Sequence, residues 1–356
     1  MTDNSTQDAI ARKLHEQASI FGRRIILAAD IDGTLLMSDS LPNASHFDSI
    51  TQTLFEELNR LSIPLVAVTG RTVEMVVSEK RLTYKGKCVF DGIITSVGTE
   101  FSVKDEGDSS YRTHLGWDTY LRVCGFQKAE AEEHARRMTD LYRQSGGRYE
   151  VRPQKDKQEK YKLSFEVETS GIEADQKKEY ELLQEAVSQV QAKLTNMKIV
   201  LSTDADSDLR KHHPIFNIDF LPVTKADAVA YLEQEYMEFA PLVIYAENSE
   251  NGYDALLRVG GIAVGGSTAP LKSSLAALPE LIDGEMKIKV VRGNGENSNR
   301  YIFQGGPEEG PETLLRAVKA YEKWRATLER SAVESKYDPS QIVSDALSFI
   351  HIYSIL

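Results

Sequence analysis

Cysteine is nearly absent: Cys88 and Cys124 are the only two in 356 residues. That leaves no disulfide framework and no cysteine-built zinc spacing. Long apolar runs are missing as well, since none approaches the roughly eighteen residues of a membrane-spanning helix. The first twenty residues, MTDNSTQDAIARKLHEQASI, lack the apolar centre of a secretory leader, so a soluble protein of a reducing, cytoplasmic compartment is expected. Basic residues are in deficit, 42 against 54 acidic ones, for a net charge of −12. Nucleic acid and anionic membrane, which need a basic footprint, are therefore not expected as partners. A small anionic substrate is still compatible, because a local site can oppose the field of the whole chain. With 41% hydrophobic and 27% charged residues, the composition is that of a globular protein, and the length suits two domains or one domain with a large insertion.

Four short apolar runs are present instead: Ile25–Ala29, Ile63–Val68, Ile93–Val97 and Leu242–Ala246. Continuous apolarity over so few residues suits strands covered on both faces, as in a parallel sheet. Helical spacing follows the first two at Phe47–Leu61 and Thr72–Arg81, and recurs at Ala226–Tyr236. The expected fold class is therefore α/β, a doubly wound parallel-sheet core. The middle differs. Charged helical stretches at Phe126–Gln144 and Asp175–Lys193 accompany strands at Lys162–Glu168, where polar and apolar residues alternate, and Met197–Ser202. Alternation means one wet face, so an inserted α+β domain is expected at 116–213, between core segments 25–115 and 214–325. A helical extension (1–24) and a helical tail (326–356) flank the core. Glu285–Gln304 reads as a hairpin or loop and Pro311–Arg330 as a helix.

Chemistry concentrates where the first strand ends, at Asp30-Ile31-Asp32-Gly33-Thr34. Two carboxylates just past a buried strand are costly unless a cation offsets them. At the carboxyl end of a parallel strand they face the crevice where such sheets bind ligands. Asp30 is placed to attack a phosphorus centre, and Asp32 to protonate the leaving oxygen and later activate water. A hard dication such as Mg²⁺ would bridge them to phosphate oxygens. Without that chemistry the run is a turn or a helix cap, for which Asp-Gly is common.

The run resembles motif I of the haloacid dehalogenase (HAD) superfamily. Thr69-Gly70-Arg71 is similar to motif II, and Lys225, after Asp219-Phe220-Leu221-Pro222, to motif III of the Cof-like, sucrose-phosphate-phosphatase-like branch. Ser96-Val97-Gly98-Thr99-Glu100 resembles that branch's turn after the third core strand, and Tyr161-Lys162-Leu163-Ser164-Phe165 its substrate-facing cap strand. The likeness spans roughly Ile25 to Lys319. It implies an inserted α/β cap, a nucleophile at Asp30, an acid/base at Asp32, and phosphate held by Thr69 and Lys225. Gly70, Arg71, Gly98, Thr99, Glu100, Lys162 and Asp219 complete the implied substrate site, and Mg²⁺ is the implied cofactor.

Motif IV departs from the branch's G-D-S-x-N-D. Here Glu247-Asn248-Ser249-Glu250-Asn251-Gly252 keeps Ser249 and Asn251 but has no Asp at either acidic position. An amide oxygen still coordinates Mg²⁺, with less charge. Asp30, Asp32, Asn248 and Glu247 are the candidate metal ligands, although neighbours at a strand end point to opposite sides. Glu250 and Asp254 are alternatives. Other features weigh less. His212-His213 reads as solvated, Gly260-Gly261 and Gly265-Gly266 as turns at a sheet edge, and Trp117 and Tyr120 as packing residues or a sugar platform.

The expected function is Mg²⁺-dependent hydrolysis of a small phosphate ester, a sugar phosphate by resemblance, through an aspartyl-phosphate. The altered motif IV supports a second reading, a HAD-fold protein with a ligand-binding or regulatory role. Phosphoryl transfer to a sugar acceptor is a third, which the large cap disfavours.

Overall fold

In the computed structural model, residues 8–17, 24–37, 44–105, 110–154, 160–169, 173–203, 215–264, 267, 269–283, 286–291, 300–304, 310–319 and 322 are described. The tail expected from residue 326, His212-His213 and Gly265-Gly266 lie outside them. The chain runs through α1 (Ala9–Glu16), β1 (Arg24–Ala29), α2 (Ala44–Arg60), β2 (Leu65–Val68) and α3 (Val73–Ser78). A short hairpin, β3 (Thr83–Tyr84) and β4 (Lys87–Cys88), precedes β5 (Gly92–Thr95), β6 (Glu100–Lys104), β7 (Tyr111–Thr113) and α4 (Leu115–Val123). The middle adds α5 (Lys128–Gln144), β8 (Val151–Pro153), β9 (Leu163–Glu168), α6 (Glu173–Gln191), β10 (Lys198–Thr203) and β11 (Ile215–Leu221). Then come α7 (Lys225–Glu235), β12 (Pro241–Glu247), α8 (Tyr253–Val259), β13 (Gly261–Ala263) and α9 (Ala269–Ala276). The strands β14 (Glu280–Asp283), β15 (Met286–Val291) and β16 (Arg300–Gln304) lead to a helix over 310–319.

The four apolar runs form the centre of a ten-stranded sheet, ordered β14-β15-β16-β13-β12-β1-β2-β5-β6-β7. Pairing is parallel from β16 through β13, β12, β1 and β2 to β5, with Leu27 opposite both Ile244 and Leu65. It turns antiparallel towards both edges. Helices cover both faces, which is why these strands are apolar throughout. Ile26, Ala28, Val66, Val68 and Tyr245 face α1, α4, α7 and α8, while Ile25, Leu27, Ala29 and Ala67 face α2 and the helix over 310–319. Among the described residues no helix is long and apolar enough to cross a membrane.

Within the expected N-terminal extension, α1 is docked on the core: Ile10 and Leu14 are buried, and Lys13 Nζ reaches Asp91 Oδ2 at 2.9 Å. Several expectations shift. The helix expected over Thr72–Arg81 stops at Ser78, because the Glu79 carboxylate accepts the Arg81 N–H and starts a new 3-10 turn at Lys80–Leu82. Both boundaries of the insertion move as well. Trp117 and Leu121 of α4 are buried in the main core, so the insertion starts after α4. At its other end β11 is a central strand of the small antiparallel sheet, order β10-β11-β9-β8, so the insertion runs on to Leu221 rather than 213. In Ile215–Leu221 the polar Asn217 and Asp219 alternate with apolar residues, as suits a sheet with one polar face, and its partners β9 and β10 place it in the small sheet. The expected turn at Gly260-Gly261 opens β13, which lies inside the sheet between β12 and β16, not at its edge.

Candidate active site

The parallel ladder fixes Asp30, whose N–H donates to the Ala246 carbonyl at 2.9 Å one step past β1. Across from it stands Lys225, the first residue of α7 and only 1% exposed. Its ammonium donates to Asp30 Oδ1 at 2.8 Å, Asn251 Oδ1 at 3.0 Å and Glu247 Oε2 at 3.2 Å. Three acceptors use all three protons of the ammonium. The start of α7 is held by Asp227, which accepts the Thr224 N–H at 2.9 Å and pairs with Lys198 of the small sheet and Arg258 of α8. Burial pushes the Asp227 carboxyl up, but Lys198, the Thr224 N–H and Arg258 outweigh it and leave it below its ordinary value. Asp227→Ala is therefore expected to cost about 0.5–2 kcal/mol at neutral pH, the range for a lost capping interaction. A carboxyl lowered on folding stabilises above its unfolded pKa and loses that effect as pH falls through the folded value. The difference in melting temperature between wild type and Asp227→Ala should accordingly shrink below about pH 4.

Glu247 corrects an expectation. Its carboxylate is wholly buried and accepts five donors: the N–H groups of Asn248 and Ser249, the Ser249 and Tyr245 hydroxyls, and Lys225. A carboxylate offers about four lone-pair sites, so no acceptor capacity remains for a metal. The site of motif IV explains how it fits. A Cβ on Gly252 would lie 1.9 Å from Glu247 Oε2 and 2.5 Å from its Cδ, so the glycine makes room for the acid.

One lysine does not neutralise two buried carboxylates. Burial first, and then the charge of Glu247, push Asp30 up to about 7 against the pull of Lys225. Lys225 is raised as well: burial lowers it, but Asp30 and Glu247 together hold it well above the ordinary lysine range. The ammonium is thus secure, and the surplus charge of the cluster is negative.

Asp32 is gripped by the Arg71 guanidinium, with Nε to Oδ2 at 2.8 Å and a second bond from Nη2 to Oδ1. Arg71 was expected on the phosphate; the structure puts its fork on Asp32 instead. Thr69 is 1% exposed and its hydroxyl accepts the Arg71 N–H at 3.2 Å, while Gly70 is exposed with open space beside it. The Ser96–Gly98 turn ties this loop to α7. The Val97 N–H donates to the Thr69 carbonyl, and a Cβ on Gly98 (φ +104°) would meet the Thr224 carbonyl at 2.6 Å. Only glycine permits that approach. Thr99 and Glu100 serve the turn, with Thr99 Oγ1 donating to the Ser96 carbonyl and Glu100 accepting from Thr95 Oγ1. Trp117, buried, closes it by donating Nε1–H to the Gly98 carbonyl at 3.1 Å. Packing is therefore the role the structure gives Trp117.

Lys162 and Asp219 are buried together in the small sheet, 3.7 Å apart, with Ser164 Oγ donating to Asp219 at 2.5 Å. Among the described residues no hydrogen bond joins this pair to Asp30 or Lys225. Sequence reasoning missed Asn251, Tyr245 and Gly252 as supports of the lysine cluster. Asn251 was visible only as a motif match.

A metal has a narrower choice than expected. Among the described residues no three His, Cys, Asp or Glu side chains converge, and Asp254 lies exposed on α8. Asn248 is different. Its Nδ2 lies 1.9 Å from where a Gly33 Cβ would stand, and its Oδ1 is buried without a hydrogen-bond partner. Thr34 Oγ1 and Ser96 Oγ are buried and unpartnered too. Such atoms cost about 1–3 kcal/mol each, and these three belong to turns after β1, β5 and β12, at the carboxyl ends of the parallel strands. Asp30, Asp32 and Asn248 form a set of hard oxygen donors, which fits Mg²⁺.

A parallel sheet that presents paired aspartates to a buried lysine, under an inserted α+β unit, is the build of the HAD phosphatases, hydrolases of phosphate monoesters; this chain is one of them. The family model described as sucrose-6F-phosphate phosphohydrolase matches residues 23–276, well over half of the chain, and the protein belongs to that family. Among solved structures, the sucrose-phosphatase of Synechocystis sp. PCC6803, in complex with sucrose and phosphate, is 16% identical. It matches with a TM-score of 0.51 over 84% of this chain and 98% of that one. A haloacid dehalogenase-like hydrolase from Bacillus subtilis is 15% identical, with a TM-score of 0.43 over 72% of this chain and 87% of its own. The phosphatase BT1666 from Bacteroides thetaiotaomicron is 16% identical, with a TM-score of 0.42 over 71% and 88%. No curated protein matches the chain in sequence.

Proposed function

We propose that the protein hydrolyses a phosphorylated sugar, with sucrose phosphate the first candidate, through an aspartyl-phosphate on Asp30 and with Mg²⁺. The observation that carries this reading is the Asp30–Lys225 contact beside unpartnered buried acceptors at the carboxyl ends of three parallel strands. Family membership supports the sugar phosphate and favours the hydrolase over a binding-only role. An Asp30 carboxylate oxygen attacks phosphorus as the bond to the sugar oxygen breaks, and Asp32 in its protonated form delivers the proton to that oxygen, leaving the carboxylate that Arg71 grips. Water then attacks the acyl phosphate, giving up its proton to Asp32 and releasing inorganic phosphate. Thr69 and Lys225 offset charge on the phosphoryl oxygens. Mg²⁺, held by Asp30, Asp32 and Asn248, would add Lewis-acid stabilisation of the same oxygens. The small sheet and its helices are the cap that excludes bulk water and reads the sugar.

The direct test is phosphate release from a panel of sugar phosphates with Mg²⁺, using Asp30→Asn as the blank. No release from any sugar at high Mg²⁺ would leave the binding role standing. Asn248→Asp adds charge at an unpartnered donor, so it should raise Mg²⁺ affinity about tenfold or more. Mg²⁺-dependent shifts in melting temperature report this independently of turnover. Equal shifts in wild type and variant would remove Asn248 from the metal site.

A further inference from the structure

A second cleft, of about 540 Å³, opens at the other end of the same strands. Leu65 opens β2 and lines this cleft, whereas Thr69 follows β2 at the crevice; four residues, or roughly 13 Å of strand, separate them. The volume is that of a metabolite pocket. Its floor is apolar, with Phe55, Leu58 and Leu65 buried, and its rim is basic in a chain that is strongly acidic overall. Asp91 on the floor is already satisfied by Lys13 and the Leu65 N–H, Arg12 pairs with Glu16, and Asp105 pairs with Arg112. Among the described residues, Lys85, Lys87 and Lys104 have no carboxylate within ion-pair distance.

The placement of two of these lysines is backbone-dictated. The β3–β4 hairpin turns through Lys85 (φ +52°) and Gly86 (φ +75°), the geometry of a tight hairpin whose first position favours Asn, Asp or Gly. A lysine is less favourable there than Asn, Asp or Gly, and the turn holds its side chain at the cleft rim. Its ammonium lies over the Tyr84 ring, 5.0 Å from the centroid, at the cleft wall. Lys104 is pinned by donating to the Cys88 carbonyl at 2.6 Å, and burial lowers its pKa despite Asp91 nearby, a cost that an incoming anion would offset.

We infer that this cleft binds a compact, multiply charged oxyanion, a small metabolite whose anionic groups sit on Lys85, Lys87 and Lys104 with its body against Phe55 and Tyr84. Such a site is separate from the phosphoryl site and does not depend on the proposed reaction. Calorimetric titration of the full chain with inorganic pyrophosphate in EDTA tests it. Saturable binding is expected, weakened tenfold or more by Lys85→Asn/Lys87→Gln and unchanged by Arg71→Ala, which alters only the catalytic crevice. Lys85→Asn alone should weaken binding while raising the melting temperature, since Asn accepts the left-handed turn more readily. A parallel titration with citrate separates sources: saturation by pyrophosphate alone identifies a phosphoryl ligand, and saturation by both a general oligo-anion site. Binding that survives the lysine substitutions, disappears in Arg71→Ala, or fails to saturate with either anion overturns the proposal.

Discussion

Asp30→Asn is expected to abolish phosphate release and, in metal-free buffer at neutral pH, to stabilise the fold. The loss of turnover should be about a thousandfold or more, because no other side chain replaces the attacking oxygen. The gain in stability follows from the charge count. Lys225 faces two buried carboxylates, Asp30 and Glu247, and the amide would leave it paired with Glu247 and still bonded to Asn251. Burial and Glu247 raise Asp30 to about 7 in the fold, above the ordinary value of 3.8. A carboxyl raised on folding holds its proton more tightly in the native state, so stability falls as pH climbs through the interval from about 4 to 7. The variant lacks that decline. Melting temperatures across pH 4–8 should therefore coincide near pH 4 and diverge above it, with a gain on the order of 1–3 kcal/mol at neutral pH. A variant less stable than wild type at pH 7 would show that the Asp30–Lys225 attraction outweighs the surplus negative charge.

The core was legible because burial on both faces leaves a direct trace: Ile25–Ala29 and Leu242–Ala246 carry no polar residue, and they pair in the middle of the sheet. Pairing partners leave no such trace. Ile215–Leu221 interleaves Asn217 and Asp219 with apolar residues, which says that one face is polar but not that its partners are β9 and β10 rather than core strands. The aspartates, Thr69 and Lys225 were visible as types at fixed places after strands. Their partners were not, because a bond such as Arg71 to Asp32 joins residues 39 apart and depends on how two turns lie side by side. The strand-end rule did foresee that Glu247 and Asn248 diverge. Glu247 turns under Lys225, whereas Asn248 lies on Gly33. What the rule lacked was the sign of the exchange at Gly252, where a missing side chain is the informative feature.

That exchange makes the largest stability prediction. Glu247→Ala should cost about 3–5 kcal/mol, because it strips an acceptor from Lys225, Tyr245, Ser249 and two N–H groups in a wholly buried place. Gly252→Asp should be comparably damaging on its own. Its Cβ falls 2.5 Å from Glu247 Cδ, inside the carboxyl group itself, so one acid must expel the other. The two substitutions together should be much milder than their sum. An acid at 252 would start from the volume that Glu247 vacates, next to an oxygen position 3.2 Å from Lys225 Nζ, and so is placed to accept the ammonium in its stead. The interaction energy in the double-mutant cycle, measured by denaturant unfolding, should reach about 2 kcal/mol or more. Phosphate release should recover with it, since both depend on Lys225 staying beside Asp30. Additive costs would mean that Glu247 acts through Tyr245 and Ser249 alone, and that the carboxylate beneath the lysine has no substitute from the helical side of the turn.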